Sequence, residues 1–82
     1  MFKAVINVSL KDSILDPQGQ AALQAIEKLG IQGAKEVRVG KQLVLTLSST
    51  SKAEAEASIK KMCETILVNP VIEKYSFEIS ER

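Results

Sequence analysis

No histidine occurs among the 82 residues. The commonest general base, the commonest metal ligand and every Ser–His or Cys–His relay are therefore missing. Cys63 is the single cysteine. It stands mid-helix on an apolar stripe, where a thiol reads as buried and structural, because no basic neighbour is placed to lower its pKa. A zinc site would have to rely on carboxylates, and no such cluster is visible. Asp12 and Asp16 could form an acid–base pair, but Asp16 is better explained as a helix cap. Val37-Arg38-Val39-Gly40-Lys41 sets two cations around a glycine and could cradle a phosphate. A turn in which Gly40 permits positive φ, flanked by surface charges, is the better account.

The elements that would hold these groups follow from hydrophobic period. Phe2, Ala4, Ile6, Val8 and Leu10 alternate with Lys3, Val5, Asn7, Ser9 and Lys11, the pattern of a half-buried strand. Asp16 caps a helix that opens on Pro17, whose φ is already helical and whose missing N–H would be unpaired there anyway. Ala22, Leu23, Ile26 and Leu29 form its expected buried stripe, and Gly30 suits a left-handed C-cap. Gly19 weakens the first turn, which points to something packing close against it.

Val37, Val39, Leu43, Leu45 and Leu47 share parity across Gly40. A three-residue turn or a single strand bent at Gly40 would each keep all five on one face; the hairpin is preferred. Ser51 and Glu54 make a reciprocal capping box for a second helix. Its apolar stripe is Ala55, Ile59, Met62, Cys63 and Ile66. Asn69-Pro70 ends that helix, and Val71 to Ile79 forms the last strand. The expectation is a two-layer, ferredoxin-like α+β domain over residues 1–82, β-α-β(-β)-α-β, with an antiparallel sheet and two helices on one face. Strands are placed at about 2–11, 35–40, 43–48 and 71–79, and helices at about 17–29 and 52–68. The opposite face would carry Val5, Asn7, Arg38, Val44, Thr46 and Lys74, a mixed surface suited to a partner.

Composition removes several classes of function. Eleven basic and ten acidic residues nearly cancel, so no nucleic-acid footprint is expected. Tyr75 and Phe77 share the core parity, so they are not expected to act as base-stacking platforms. The single cysteine fits a reducing cytoplasm, and neither a secretory signal nor an apolar run of membrane-spanning length is seen. A chain this short hides only about 60–65% of the surface its unfolded form exposes, which makes self-association a natural remedy.

Leu15-Asp16-Pro17-Gln18-Gly19, Val37-Arg38-Val39-Gly40-Lys41, Met62-Cys63-Glu64 and Asn69-Pro70-Val71-Ile72-Glu73 stand in order at suitable spacing. Together with the Ala-rich turn Ala53-Glu54-Ala55-Glu56-Ala57, they closely resemble PurS, the small subunit of phosphoribosylformylglycinamidine synthase. The resemblance spans essentially the whole chain. It implies a cytoplasmic accessory subunit of purine biosynthesis, homodimeric or larger. Such a subunit bridges a PurL-type synthetase and a PurQ-type glutaminase and supports ammonia transfer between them. It implies no cofactor on this chain, since ATP, Mg and glutamine are used by the partner subunits, and it supplies no catalytic residues. Of the matching motif positions, Arg38 and Lys41 are the candidates for partner contact, because capping and turn geometry do not require them.

Two other readings compete. A free-standing ferredoxin-like enzyme, such as an acyl phosphatase, would need Arg and Asn converging over a phosphate loop, and Arg38 and Asn69 do not sit in such a motif. A small-molecule-sensing module would show ligand-dependent stabilisation.

Overall fold

A computed structural model describes residues 1–81. The elements are β1 (Phe2–Leu10), α1 (Pro17–Lys28), β2 (Gly40–Leu47), α2 (Lys52–Met62), a π-helical turn (Cys63–Leu67) and β3 (Glu73–Glu81). The strands form one antiparallel sheet in the order β2-β1-β3. Its pairings explain the alternation in sequence. Ala4 faces Leu45 and Ile79 across the two ladders, Ile6 faces Leu43 and Phe77, and Val8 faces Tyr75. Even positions of β1 therefore share a face with odd positions of β2 and β3. This is the core face, and Ala4, Ile6, Val8 and Leu47 are buried there.

The preferred hairpin around Gly40 does not form. Gly40, Lys41 and Gln42 lie within β2, opposite Ser9, Val8 and Asn7, and residues 31–39 approach it outside any strand. Gly40 has no positive φ. Its role is steric, since a Cβ there would meet the Val8 carbonyl oxygen at 2.6 Å.

α2 packs against β1 and β3, burying Ala55 and Ile59. Ser51 Oγ accepts from the Glu54 N–H at 3.2 Å. The Glu54 carboxylate turns to the Thr50 N–H and hydroxyl, so the capping box is not reciprocal. The helix then widens, with the Val68 N–H donating to the Cys63 carbonyl five residues back. This shift of register decides which side chains point inward. Cys63 and Val68 are buried, whereas Ile66, expected in the stripe, is 78% exposed. β3 starts two residues later than expected because Asn69 builds a turn. Its Oδ1 accepts from the Val71 N–H, and its carbonyl accepts from the Ile72 and Glu73 N–H groups.

The first helix departs most from expectation. α1 buries only Gly19, and none of its side chains belongs to the core or packs against it among the described residues. Leu29, placed in a buried stripe by its spacing, is 75% exposed. Within one chain, then, only α2 covers the sheet, while α1 projects from its end. The radius of gyration is 16.4 Å and the extents are 52 × 27 × 14 Å. A compact chain of this length would have a radius of about 12 Å. The helix ends as its sequence suggests: Gly30 has φ +78°, and the Gly30 and Ile31 N–H groups donate to the Glu27 and Ile26 carbonyls. This is a Schellman cap.

One buried carboxylate sets the direction of α1. Asp16 is 4% exposed. One oxygen accepts from the Gly19 N–H at 2.9 Å, closing the first turn. The other accepts from the Val39 N–H at 2.7 Å, joining that turn to the entry of β2. The returning chain passes so close that a Cβ on Gly19 would lie 2.0 Å from the Val37 carbonyl oxygen. Those hydrogen bonds favour the ionised form, the one from Val39 most, and hold Asp16 below its ordinary 3.8.

Two predictions follow from this corner. Helix propensity alone would make Gly19→Ala stabilising by about 1 kcal/mol. The steric conflict with Val37 is expected to reverse the sign and cost about 1–3 kcal/mol, read from the urea midpoint and hydrogen exchange in α1. A more stable variant would show that the chain does not pass there. For Asp16, a folded pKa below the unfolded one means stability that is present above about pH 3.8 and lost as pH falls through the folded value. Asp16→Asn is therefore expected to be clearly less stable than the parent at pH 7, with the gap narrowing below pH 3.8. A gap independent of pH would exclude a carboxylate role.

Candidate functional site

The sequence motifs converge at the end of the sheet where β1 leaves and β2 enters. A cleft of about 240 Å³ opens there, lined by Val8, Asp16, Val39, Lys41 and Glu73 among others. Arg38 lies just before β2 and so is not on the open sheet face. Its guanidinium donates to the Lys11 carbonyl at 2.9 Å and the Ile14 carbonyl at 3.1 Å, with a longer contact of 3.5 Å to Leu10. These carbonyls belong to the end of β1 and the loop leading to α1. Arg38 thus staples that loop to the returning chain, a role its planar fork of donors suits. Lys41 points along the core-side parity of β2, its Nζ 3.8 Å from a Glu73 carboxylate oxygen. The other Glu73 oxygen accepts from the Asn69 N–H at 2.8 Å. The two cations flanking Gly40 therefore diverge, one to backbone carbonyls and one to a carboxylate, and do not form a phosphate cradle.

The remaining candidates are also engaged locally. Asp12 is exposed and pairs with Lys74 at 2.9 Å, and the hydrogen bond and charge of that ammonium lower its pKa. Buried Asp16 is engaged by the Gly19 and Val39 N–H groups instead, so the two acids have separate partners and do not act as a pair. Cys63 is fully buried; burial, with the Glu64 charge, pushes its thiol pKa up, away from nucleophilic reactivity. Asn69 serves its own turn, and nothing draws it toward Arg38. Tyr75 and Phe77 stack with centroids 6.4 Å apart and pack against the core. Among the described residues, no three His, Cys, Asp or Glu side chains gather as a metal site. No helix there is long and apolar enough to cross a membrane.

What the geometry offers instead is surface for association. The face of α1 that carries Leu23, Ile26 and Leu29 continues into Ile31, itself 58% exposed. On the sheet, α2 lies over β1 and β3 rather than β2, leaving Leu43 and Leu45 of β2 only half-buried. The reverse face of the sheet has no layer upon it. Val5 and Val44 pair there, beside a hydrogen bond from Gln42 Nε2 to Asn7 Oδ1. The stripe on α1 is legible as an apolar period in the sequence, but the chain's own core does not take it up.

Comparison with known proteins agrees with this architecture. Residues 3–81 match the family described as PurS: Phosphoribosylformylglycinamidine (FGAM) synthase. The chain is 40% identical to the phosphoribosylformylglycinamidine synthase subunit PurS of Bacillus subtilis, over 99% of this chain and 95% of that one. It superposes on PurS of Methanocaldococcus jannaschii with a TM-score of 0.91 at 28% identity, covering 100% of this chain and 99% of the other. A chain in the structure of PurLQS from Thermotoga maritima gives a TM-score of 0.89 at 32% identity, with 96% of each chain covered. With the fold matched from end to end and nearly every residue inside the family's bounds, the chain belongs to the PurS family.

Proposed function

We propose that this chain is the non-catalytic accessory subunit of phosphoribosylformylglycinamidine synthase in de novo purine biosynthesis. It works in the cytoplasm as a dimer or higher oligomer, between an ATP-dependent synthetase of PurL type and a glutaminase of PurQ type, and supports ammonia transfer between them. ATP, Mg and glutamine belong to the companions. The observation that carries this reading is the incomplete helical layer. One helix covers part of the sheet, and the other projects with an apolar stripe that the chain itself does not bury.

A second copy can supply the missing cover. α1 of one protomer laid over the β2 side of its partner's sheet would bury Leu23, Ile26 and Leu29 against Leu43 and Leu45. Each such side chain contributes about 1.5–3 kcal/mol when fully buried, enough in sum to matter for a domain of this size. A reciprocal exchange satisfies both protomers at once, as a two-fold interface requires. Ile26→Asp combined with Leu29→Asp is expected to give monomers in sedimentation equilibrium while the three-stranded sheet persists by circular dichroism. A variant that stays dimeric would reject the exchange.

Arg38 and Lys41 remain the proposed contacts with the synthetase. Because Arg38 also staples the loop, Lys41→Glu is the cleaner probe. Glutamine-dependent amidation is the decisive measurement. The purified chain alone is expected to turn over nothing. Synthetase and glutaminase together should gain activity when the chain is added, and gain less with Lys41→Glu at low salt, where charge contacts count most. Turnover by the isolated chain would refute the accessory role, and an unchanged response to Lys41→Glu would refute that contact.

A further inference from the structure

α1 has little of its own chain to lean on. None of its side chains belongs to the core among the described residues, and no other helix or strand packs extensively against it. A cleft of about 210 Å³ runs between its first turns and the returning chain, lined by Leu15, Gln20, Leu23, Lys35 and Val37 among others. Polar bonds at the root of α1, rather than apolar packing along its length, therefore set its direction. The Asp16 carboxylate gives one fixed point, tying the first turn to the Val39 N–H. A helix held at one point can swing about it. The 12 residues of α1 span about 18 Å, so a swing of about 10° moves the far end by about 3 Å. Leu29 stands at that end.

Arg38 supplies the second point. It adjoins Val39, so this dipeptide is gripped from two sides, by Asp16 at the Val39 N–H and by the β1–α1 loop at the Arg38 side chain. The loop contains a turn closed by the Ile14 N–H on the Lys11 carbonyl at 2.9 Å. The guanidinium donates to the carbonyls at both ends of that turn. A planar fork can hold both at once, which the point charge of a lysine does not reproduce. We infer that Arg38 is a positioning residue for self-association. By locking the Lys11–Ile14 turn to the returning chain, it fixes the angle at which α1 leaves and presents Leu23, Ile26 and Leu29 to a second copy already aimed. A segment held in its bound direction loses less freedom on binding, so affinity rises without any intermolecular contact by Arg38 itself. In a two-fold pair each copy presents one α1, so the gain is made twice. This inference rests on the α1 exchange set out above and is separate from any contact of Arg38 with the synthetase.

Arg38→Lys keeps the charge and removes the fork. Sedimentation equilibrium on the full chain is expected to show the dimer Kd raised about tenfold or more (about 1.4 kcal/mol). Circular dichroism at concentrations that saturate the dimer should still show the parent's helix content. An unchanged Kd overturns the inference. So does a loss of helix, which would make Arg38 a residue of folding rather than of aim. A second measurement joins two copies head to tail through a flexible Gly–Ser linker, with Arg38→Lys in both. The tether raises the effective concentration of each α1 for the other copy's sheet. Glutamine-dependent amidation with the synthetase-type and glutaminase-type subunits, measured below the variant's Kd, is expected to fall for the separate chains and to return to the parent's level for the tethered pair. A deficit that survives tethering overturns the inference by placing Arg38 in contact with a companion. If the parent chain is monomeric at every concentration, the exchange itself fails, and this inference fails with it.

Discussion

The Asp16 carboxylate sits where helix, loop and strand meet, and the shape of the molecule depends on what it joins. A helix entering after a strand usually folds back over the sheet that precedes it. Here the carboxylate accepts from Gly19 at the first turn and from Val39 at the entry of β2, so helix and returning chain are held side by side as they leave the sheet. The missing Cβ of Gly19 lets the return pass within contact distance, and the Arg38 guanidinium ties the β1–α1 loop from the other side. Removing water from a carboxylate is costly unless donors replace it. Two backbone N–H groups do so here, and in the same stroke satisfy donors that helix and strand ends leave unpaired.

A projecting helix changes the energetic balance of so short a chain. The fully buried large side chains are Ile6, Ile59 and Cys63, a small core. A three-stranded sheet is about 14 Å wide at normal strand spacing, and one helix about 10 Å across cannot cover it. α2 packs on β1 and β3, and the core-face residues of both outer strands keep partial exposure, Leu43 and Leu45 on β2 as well as Phe77 and Ile79 on β3. Incomplete cover on the sheet and an unburied stripe on α1 are thus complementary deficits. In the proposed dimer each deficit would cover the other, and association would then be coupled to stability.

Much of the fold was legible in the sequence because strand parity is a strong signal. The alternation from Phe2 to Leu10, the run Leu43-Leu45-Leu47 and the caps at Asp16, Gly30 and Ser51 all correspond to what the structure contains. The hairpin was not resolvable: Val37, Val39, Leu43, Leu45 and Leu47 keep one parity whether the chain turns at Gly40 or continues as one strand bent there. The close approach of Gly40 to the Val8 carbonyl, invisible without coordinates, lets β2 begin at Gly40 against β1, so neither the turn nor a strand through Val37 and Val39 forms. The stripe on α1 was legible too, but amphipathic spacing reports that a face is covered, not which chain covers it. Ile66 was misplaced for a different reason. A period of 3.6 residues assumes an unbroken α-helix, and the π turn at Cys63–Leu67 breaks that assumption just before the helix ends. Local pattern gives Arg38 no capping or turn duty; its three carbonyl partners lie 24 to 28 residues away in sequence, beyond the reach of that pattern.

The polar groups show why this fold serves assembly better than chemistry. A catalytic base or nucleophile works best with a pKa brought toward neutrality and a vacancy in its hydrogen bonding for the substrate. The titrations run the other way. Asp16 is driven down by donors that occupy both its oxygens, so it remains a poor proton acceptor. Cys63 is driven up by burial, so its thiolate is scarce at neutral pH. Arg38 is committed to carbonyls, Glu73 to Lys41 and the Asn69 N–H, and Asn69 to its turn. No buried side-chain polar atom among the described residues lacks a partner. The buried polar groups are thus all engaged within the chain, which stiffens the corner they join. The same bonds hold the projecting helix to the entry of β2, and a fixed angle is what a subunit needs if it is to present the same surfaces to its neighbours each time the complex assembles.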